Sequence, residues 1–343
     1  MQTSRQTTSP PLTFSGERTF SWIKSASRRP SEYEIVTVGL QSSPEEWLHV
    51  DWPLRFEDGR APWTEDASRV RMSNLSTYRD PAELWQRIYV EDTNQQQRTL
   101  ERLVPVWTSG MASSVDRGWL NGTLSRSYAA WPFVEYGLFL ALAYVVRQCR
   151  ADTVEFVTAF QAFDRLRLQQ DIVQHLYQMS VDIPGFDDAG ARELWMTDDA
   201  MTAVREVVEH IIAADDWFEI LVAINLAFEP LVGTIAKREL FGKAATFHGD
   251  CATPAVVAQS SLDADRAETC LGALVELACA DPVHGAGNRA VIEEWLRSWG
   301  LRCRKAAEAM AALFPSPQLG MTALDAAERR HADLLDRLGV APL

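Results

Sequence analysis

The sequence predicts an all-α helical bundle with an extended N-terminal arm, and three observations carry that prediction. From Glu91 onward apolar residues recur at helical spacing almost without interruption. No stretch in that region alternates apolar and polar residues as a half-buried strand would. The first 90 residues, by contrast, hold seven of the 16 prolines and five of the 12 tryptophans, with little sustained period. The organisation expected is an arm over residues 1–90, suited to partner contact, and a helical body over residues 91–343.

In the arm, Ser43-Pro44-Glu45-Glu46 is a capping box with proline at the first helical position, so short helical turns are expected within an otherwise extended chain. Its indoles would be left in water unless the arm lies on the body or on another chain. In the body, Asp92 to Val104 is polar and glutamine-rich, and Ser113 to Ala130 places Trp119, Leu120 and Leu124 on one side. Pro132 stands where a first helical turn would accept it, opening an apolar helix from Phe133 to Arg150. Asp152 to Ser180 carries a broad apolar face and breaks at Ile183-Pro184-Gly185. Helices over Ala189 to Ala213 and Asp215 to Phe241 follow. The second is apolar on most sides, which marks it as central. Ala255 to Ala280, Asn288 to Phe314 and Thr322 to Leu338 complete the set. Long apolar helices separated by short polar breaks and flanked by outer helices make a bundle.

Composition excludes several classes of function. The chain of 343 residues is 47% hydrophobic and 23% charged, an ordinary globular balance with length for a substantial core. Its formal net charge of −14, with no run of lysine and arginine, disfavours nucleic acid and anionic membrane as partners. The five cysteines form no C-x-x-C pair, as expected of a reducing cytoplasm. Met1 to Thr13 is polar and lacks the apolar core of a secretory signal. The most apolar run, Phe133 to Val146, contains Glu135 and falls short of the roughly 20 residues a membrane span needs.

Bundles often hold metals through Glu-x-x-His, because i and i+3 project to one face. Glu46…His49 lies in the arm, where Glu46 is better explained as part of the cap, and Glu328…His331 lies on the last helix beside an apolar face. Asp215-Asp216-Trp217-Phe218-Glu219 has the D-D-x-x-E form with which all-α terpene synthases hold magnesium and a diphosphate. Acids at a helix start are also favoured by capping and by the macrodipole, and Asn288 lacks the hydroxyl residue a second metal motif requires. There is no G-x-S-x-G, P-loop or G-x-G-x-x-G, and the six histidines have no motif partner.

Several segments, in shared order from about Arg18 to about Leu313, resemble the small (β) hydroxylase subunit of bacterial multicomponent di-iron monooxygenases. They are Arg18-Thr19-Phe20-Ser21-Trp22 with Arg29-Pro30-Ser31-Glu32-Tyr33-Glu34-Ile35-Val36, then Asp80-Pro81-Ala82-Glu83-Leu84, Asp216-Trp217-Phe218-Glu219 and Arg289-Ala290-Val291-Ile292-Glu293-Glu294-Trp295. The arm segments resemble the toluene and alkene branch. The resemblance implies a ferritin-like, ribonucleotide-reductase-like bundle that pairs with an iron-bearing α subunit. It also implies a small coupling protein, a third γ subunit in some branches, and a reductase carrying FAD and a [2Fe-2S] cluster and drawing on NADH.

The resemblance further implies that the iron site is lost from this chain. In α chains two helices each carry D-E-x-R-H. Here those motifs read Asp164-Arg165-Leu166-Arg167-Leu168 and Asp263-Ala264-Asp265-Arg266-Ala267, so Arg165, Leu168, Ala264 and Ala267 stand at ligand positions. A third glutamate would fall near Ala143, and only Glu229 keeps a carboxylate. Carboxylates left in a bundle core without metal would cost several kcal/mol each, which apolar replacements avoid. The Asp164/Arg167 and Asp263/Arg266 pairs resemble the family's supporting scaffold, free to act as structural ion pairs. No catalytic, cofactor or metal residue is therefore expected, and the arm residues Trp22, Arg29, Tyr33, Trp47, Trp52, Trp63 and Trp85 are the candidates for partner contact. The competing readings are a self-sufficient metal enzyme, built on Glu229 or on Asp215 and Asp216, and a helical scaffold unrelated to oxygenases.

Overall fold

The structure is a computed structural model that describes residues 29–39, 41, 57–59 and 65–340. The described residues form no strand. Their helices are α1 (Gln86–Ser114), α2 (Arg117–Gln148), α3 (Asp152–Asp182), α4 (Ala191–Thr197), α5 (Asp199–Ala213), α6 (Trp217–Ala244), α7 (Thr253–Cys279), α8 (Gly285–Ala311) and α9 (Pro317–Arg337). Local chemistry sets the starts. Asp198 accepts from the amides of Ala200 and Met201 ahead of α5, Asp216 does the same for Phe218 and Glu219 ahead of α6, and Ser316 caps α9.

Helix α6 is the axis of the molecule, packed by α2, α7, α8 and α9. It and α2 are long and apolar enough to cross a membrane, but the most apolar stretch of α6 is 94% buried by its own fold, as befits a core helix. Helices α2 and α3 form the most extensive pair, an antiparallel hairpin turned by residues 149–151. Gly137 lets α2 approach α5 closely, because a Cβ there would run into the Val208 side chain.

The structure splits the helix expected over Ala189 to Ala213 into α4 and α5 at Asp198, and it corrects the boundary expected at Pro132. The two helices expected on either side of Pro132 are a single helix, α2, which continues through the proline. Upstream, Leu120–Tyr128 winds in the wide i→i+5 pattern, and the ring falls just after the register returns to i→i+4, where a missing N–H is tolerated. Helix α6 likewise carries Pro230 within a wide-turned stretch, Ala223–Ala244.

The segment before α1 is fastened to the body by side chains far along the chain. Asp216 accepts from the Arg69 amide at 2.7 Å, Asn288 from the Arg71 amide at 2.9 Å, and Asp281 from both the amide and hydroxyl of Ser73 at 2.7 Å. The described segments that carried the family resemblance supply several of these ties. Arg69 pairs with Glu294 and lies over the Trp295 ring, while Asp80 accepts from the amides of Ala82 and Leu84. Helix α1 begins at Gln86, so it runs across the boundary expected at residue 90.

Of the candidate contact residues, Trp22, Trp47, Trp52 and Trp63 lie outside the described residues, as does the Glu46…His49 match. Arg29 is exposed. Tyr33 is 2% exposed and its hydroxyl accepts from the Asp80 amide, so its own chain covers it and it is withdrawn as a contact candidate. Trp85 is half-buried at the start of α1, with the Arg87 guanidinium 4.9 Å from its ring centre.

Candidate functional site

Four helices, α2, α3, α6 and α7, enclose the positions where the resemblance places lost iron ligands. Arg165 and Leu168 project inward from α3, Glu229 from α6 and Ala267 from α7, all buried, with Ala264 half-buried beside them. Ala143 is not among them. It stands on the exposed face of α2, and the carboxylate that α2 sends into the core is Glu135, two turns earlier and fully buried. The expectation that Glu229 alone keeps a carboxylate is corrected accordingly. The signal for Glu135 was a single acid within an apolar helix, four residues after a tryptophan able to bond it.

Two buried cations accompany the two carboxylates. Arg165 bridges them, bonding to Glu229 and lying 3.3 Å from Glu135. Lys237, from the next turns of α6, donates to Glu229 at 2.9 Å and sits 3.7 Å from Glu135. Trp131 Nε1 donates to the second oxygen of Glu135 at 2.8 Å. Gly233 lies against the Glu229 carboxylate, where a Cβ would collide with it. Burial alone would raise the Glu229 pKa, but Arg165 and Lys237 outweigh it and hold the acid at about 2. Burial also works against the Arg165 charge, and the two glutamates outweigh it in turn, raising its pKa. Lys237 was missed at the sequence level because a lysine on a helix face gives no sign of whether it snorkels or points inward.

A second layer of charge surrounds the first. Arg167 bonds to Asp164 on its own helix at 3.2 Å and across to Asp263 at 2.6 Å, while Arg266 bonds back to Asp164 and lies 3.5 Å from Asp263. Tyr89 of α1 donates to Asp164 at 3.0 Å, and Gln259 to Asp263 at 3.2 Å. The helical repeat explains both layers. On α3, residues 164 and 167 point to the outer ring and 165 and 168 to the core, and on α7 the same division separates 263 and 266 from 264 and 267. The expected i,i+3 pairs are thus joined across helices into one ring.

This core does not fit a di-iron group. The arginine and lysine occupy the space between the carboxylates and would repel divalent cations, and no imidazole among the described residues reaches it. The gap lined by Leu168, Ser260, Ala264 and Ala267 measures about 10 Å³, near the lower limit for one water. No group of three or more metal-ligating side chains occurs among the described residues.

The other chemical candidates are absorbed by the fold. Asp216 is consumed by three backbone amides, and Glu219 accepts from Trp299 Nε1 at 2.9 Å, so the D-D-x-x-E pattern cannot present a magnesium site. This overturns the terpene-type alternative. Asn288 bonds Arg71 at both ends of its amide. His331 is buried on the inner face of α9, where burial pushes its pKa down to about 4. A depression of about 1000 Å³ between α6, α7 and α9 is open to solvent and contains no histidine or cysteine.

His175 is also buried, its Nδ1 3.0 Å from the Tyr128 hydroxyl, and burial pushes its pKa down to about 3. Asp171, one turn earlier, is pushed up to about 6 by burial, eased by a hydrogen bond with Gln97. An acid that ionises near 3.9 when unfolded and near 6 when folded weakens the fold as pH rises between those values. Asp171→Asn is therefore expected to raise stability at pH 7.5 by about 1–2 kcal/mol and to match the parent by about pH 4. Urea unfolding across that range checks it.

Comparisons with known proteins accord with this geometry. Residues 52–282 match the family model described as Methane/Phenol/Alkene Hydroxylase. The hydroxylase component small subunit of propane 2-monooxygenase from Rhodococcus jostii is 30% identical over 95% of this chain and 90% of its own length. The beta chain of methane monooxygenase component A from Methylosinus trichosporium is 31% identical over 77% of this chain and 70% of its own. The beta subunit of the toluene-4-monooxygenase hydroxylase from Ectopseudomonas mendocina is 26% identical over 93% and 97%. Among solved structures, toluene 4-monooxygenase hydroxylase with bound toluene superposes with a TM-score of 0.75 at 25% identity, covering 89% of this chain and 100% of that one. Phenol hydroxylase from Pseudomonas sp. OX1, at 15% identity and a TM-score of 0.76, covers 93% and 98% and shares the fold.

Proposed function

For a chain that belongs to the Methane/Phenol/Alkene Hydroxylase family, we propose the role of small (β) subunit in the hydroxylase component of a multicomponent monooxygenase, holding an iron-bearing large subunit without an active site of its own. The observation that carries this reading is the core itself, where Arg165 and Lys237 neutralise Glu135 and Glu229 in the space a metal pair would need. The iron belongs to the large subunit. Electrons come from NADH through a separate reductase with FAD and [2Fe-2S], and a small coupling protein docks on the assembled hydroxylase. One oxygen atom of O₂ enters the substrate and the other leaves as water. The assembly is cytoplasmic.

The substrate is a small hydrocarbon. An alkene or an aromatic ring was the expectation from the arm, and the relatives named for propane and methane widen the class to alkanes. This chain's part is mechanical. A neutralised, packed core keeps four helices at fixed spacing, so the faces they present outward are rigid.

Two preparations test the reading. The chain purified alone from iron-supplemented cells is expected to carry only trace iron, and co-expression with the large subunit of the same organism is expected to yield a complex with iron bound in the large subunit. Near-stoichiometric iron in the isolated chain, or failure to capture the large subunit, would sink it.

A further inference from the structure

Large apolar side chains that reach solvent are unevenly placed. Of the 20 found among the described residues, 11 lie on α1, α2 and α3. On α3 every solvent-exposed position between 156 and 181 is uncharged, in a chain whose residues are 23% charged. Phe156, Phe163 and Tyr177 fall on one seven-residue register, with Val173 and Val181 beside them, and Phe163 and Tyr177 are 51% and 69% exposed. On α2 the exposed positions from Phe133 to Ala143 are Phe133, Tyr136, Leu140 and Ala143. Helices α2 and α3 are the most extensively packed pair, and the Glu135–Arg165 bond puts Tyr136 and Phe163, each exposed and within a turn of it, at one level of that pair.

A helix face that only meets water carries charge, whereas the centre of an interface is depleted of it and enriched in aromatic residues. Two adjacent helices with apolar outer stripes present ridges for the helices of another chain. A second copy of this chain would carry the same net charge of −14 over its whole length, and the repulsion between two such chains opposes self-pairing and favours a different partner.

We infer that the outward face of α2 and α3, centred on Tyr136, Leu140 and Phe163, is the surface on which this chain holds the large hydroxylase subunit. The inference rests on the small-subunit reading above and moves the main contact from the tryptophan-rich arm to the bundle. Ala143 then has a role that the ligand comparison concealed, as a small residue within the contact face.

The test is co-expression of tagged full-length chain with the large subunit of the same organism, comparing the parent with Tyr136→Glu/Phe163→Glu and with Leu262→Glu/Leu301→Glu, a control on exposed leucines of α7 and α8. The first pair is expected to lose at least 90% of the captured large subunit, the control to keep it, and both purified chains to melt as the parent does. Equal capture by the first pair overturns the inference while leaving the small-subunit reading intact. Capture by neither variant nor parent overturns both. A homodimer of the isolated chain that the first pair abolishes, with capture unchanged, assigns the face to a second copy and also overturns it. If the double variant melts early, Leu140→Gln alone is read by the same capture assay, with equal capture again overturning the inference.

Discussion

Arg165→Leu is expected to lower the unfolding free energy by about 3–5 kcal/mol, the cost of removing one partner from a buried ion pair. The loss is larger than deleting an ordinary contact because Glu135 and Glu229 are both left in the core with Lys237 as the one remaining cation beside them among the described residues. Neither acid can turn to solvent, since α2 and α6 hold them from opposite sides at 0% and 6% exposure. The pH dependence identifies the cause. In the parent, Glu229 is held at about 2, so its contribution is fully present above the unfolded value near 4.3 and is lost as pH falls through 2. In the variant, the larger of the two charges opposing burial is gone, Glu229 holds its proton to higher pH, and acid relieves the strain. Urea unfolding at pH 7.5 and pH 5 should therefore show a deficit that shrinks on acidification. A pH-independent deficit would point to lost packing of the arginine stem instead.

What could be read from the sequence follows from how each feature is encoded. The central place of α6 was legible because apolar residues surround it, and burial on all sides leaves that mark on composition. The departure from the D-E-x-R-H pattern was legible because Arg165, Leu168, Ala264 and Ala267 occupy motif positions that can be counted from Asp164 and Asp263. The Glu135 position was not, since locating a single carboxylate on α2 depends on the rotation of that helix, and the wide turns at Leu120–Tyr128 shift the rotation from the 3.6-residue repeat. The same wide turns hid the continuity of α2 through Pro132. Lys237 and the cross-helix bonds of the outer ring are tertiary facts with no local signature. Tyr33 shows the converse error, an aromatic residue in an irregular segment read as partner-facing although a backbone amide 47 residues away holds it against its own body.

The contrast with a combined replacement decides what the charged core is for. In Glu135→Gln/Arg165→Met/Glu229→Leu/Lys237→Met, all four charges leave together and residues of similar volume take their places, while the side-chain amide introduced on α2 keeps an oxygen to accept from Trp131 Nε1. Buried ion networks replaced in this way are commonly neutral or more stable by about 1–4 kcal/mol, because the desolvation of each charge exceeds what pairing returns. The quadruple variant is therefore expected to unfold at or above the parent's urea midpoint, recovering the entire loss caused by Arg165→Leu alone. It should also capture the large subunit and support hydrocarbon oxidation at the parental rate, because no reacting group is touched and the outer ring of Asp164, Arg167, Asp263 and Arg266 still ties α3 to α7. If instead the quadruple variant is stable but loses near-ultraviolet circular dichroism or large-subunit capture, the quartet specifies a unique helix register at the expense of stability. Stability and capture both at parental level would mean that pairing two carboxylates with two cations is one of several equivalent ways to fill this core.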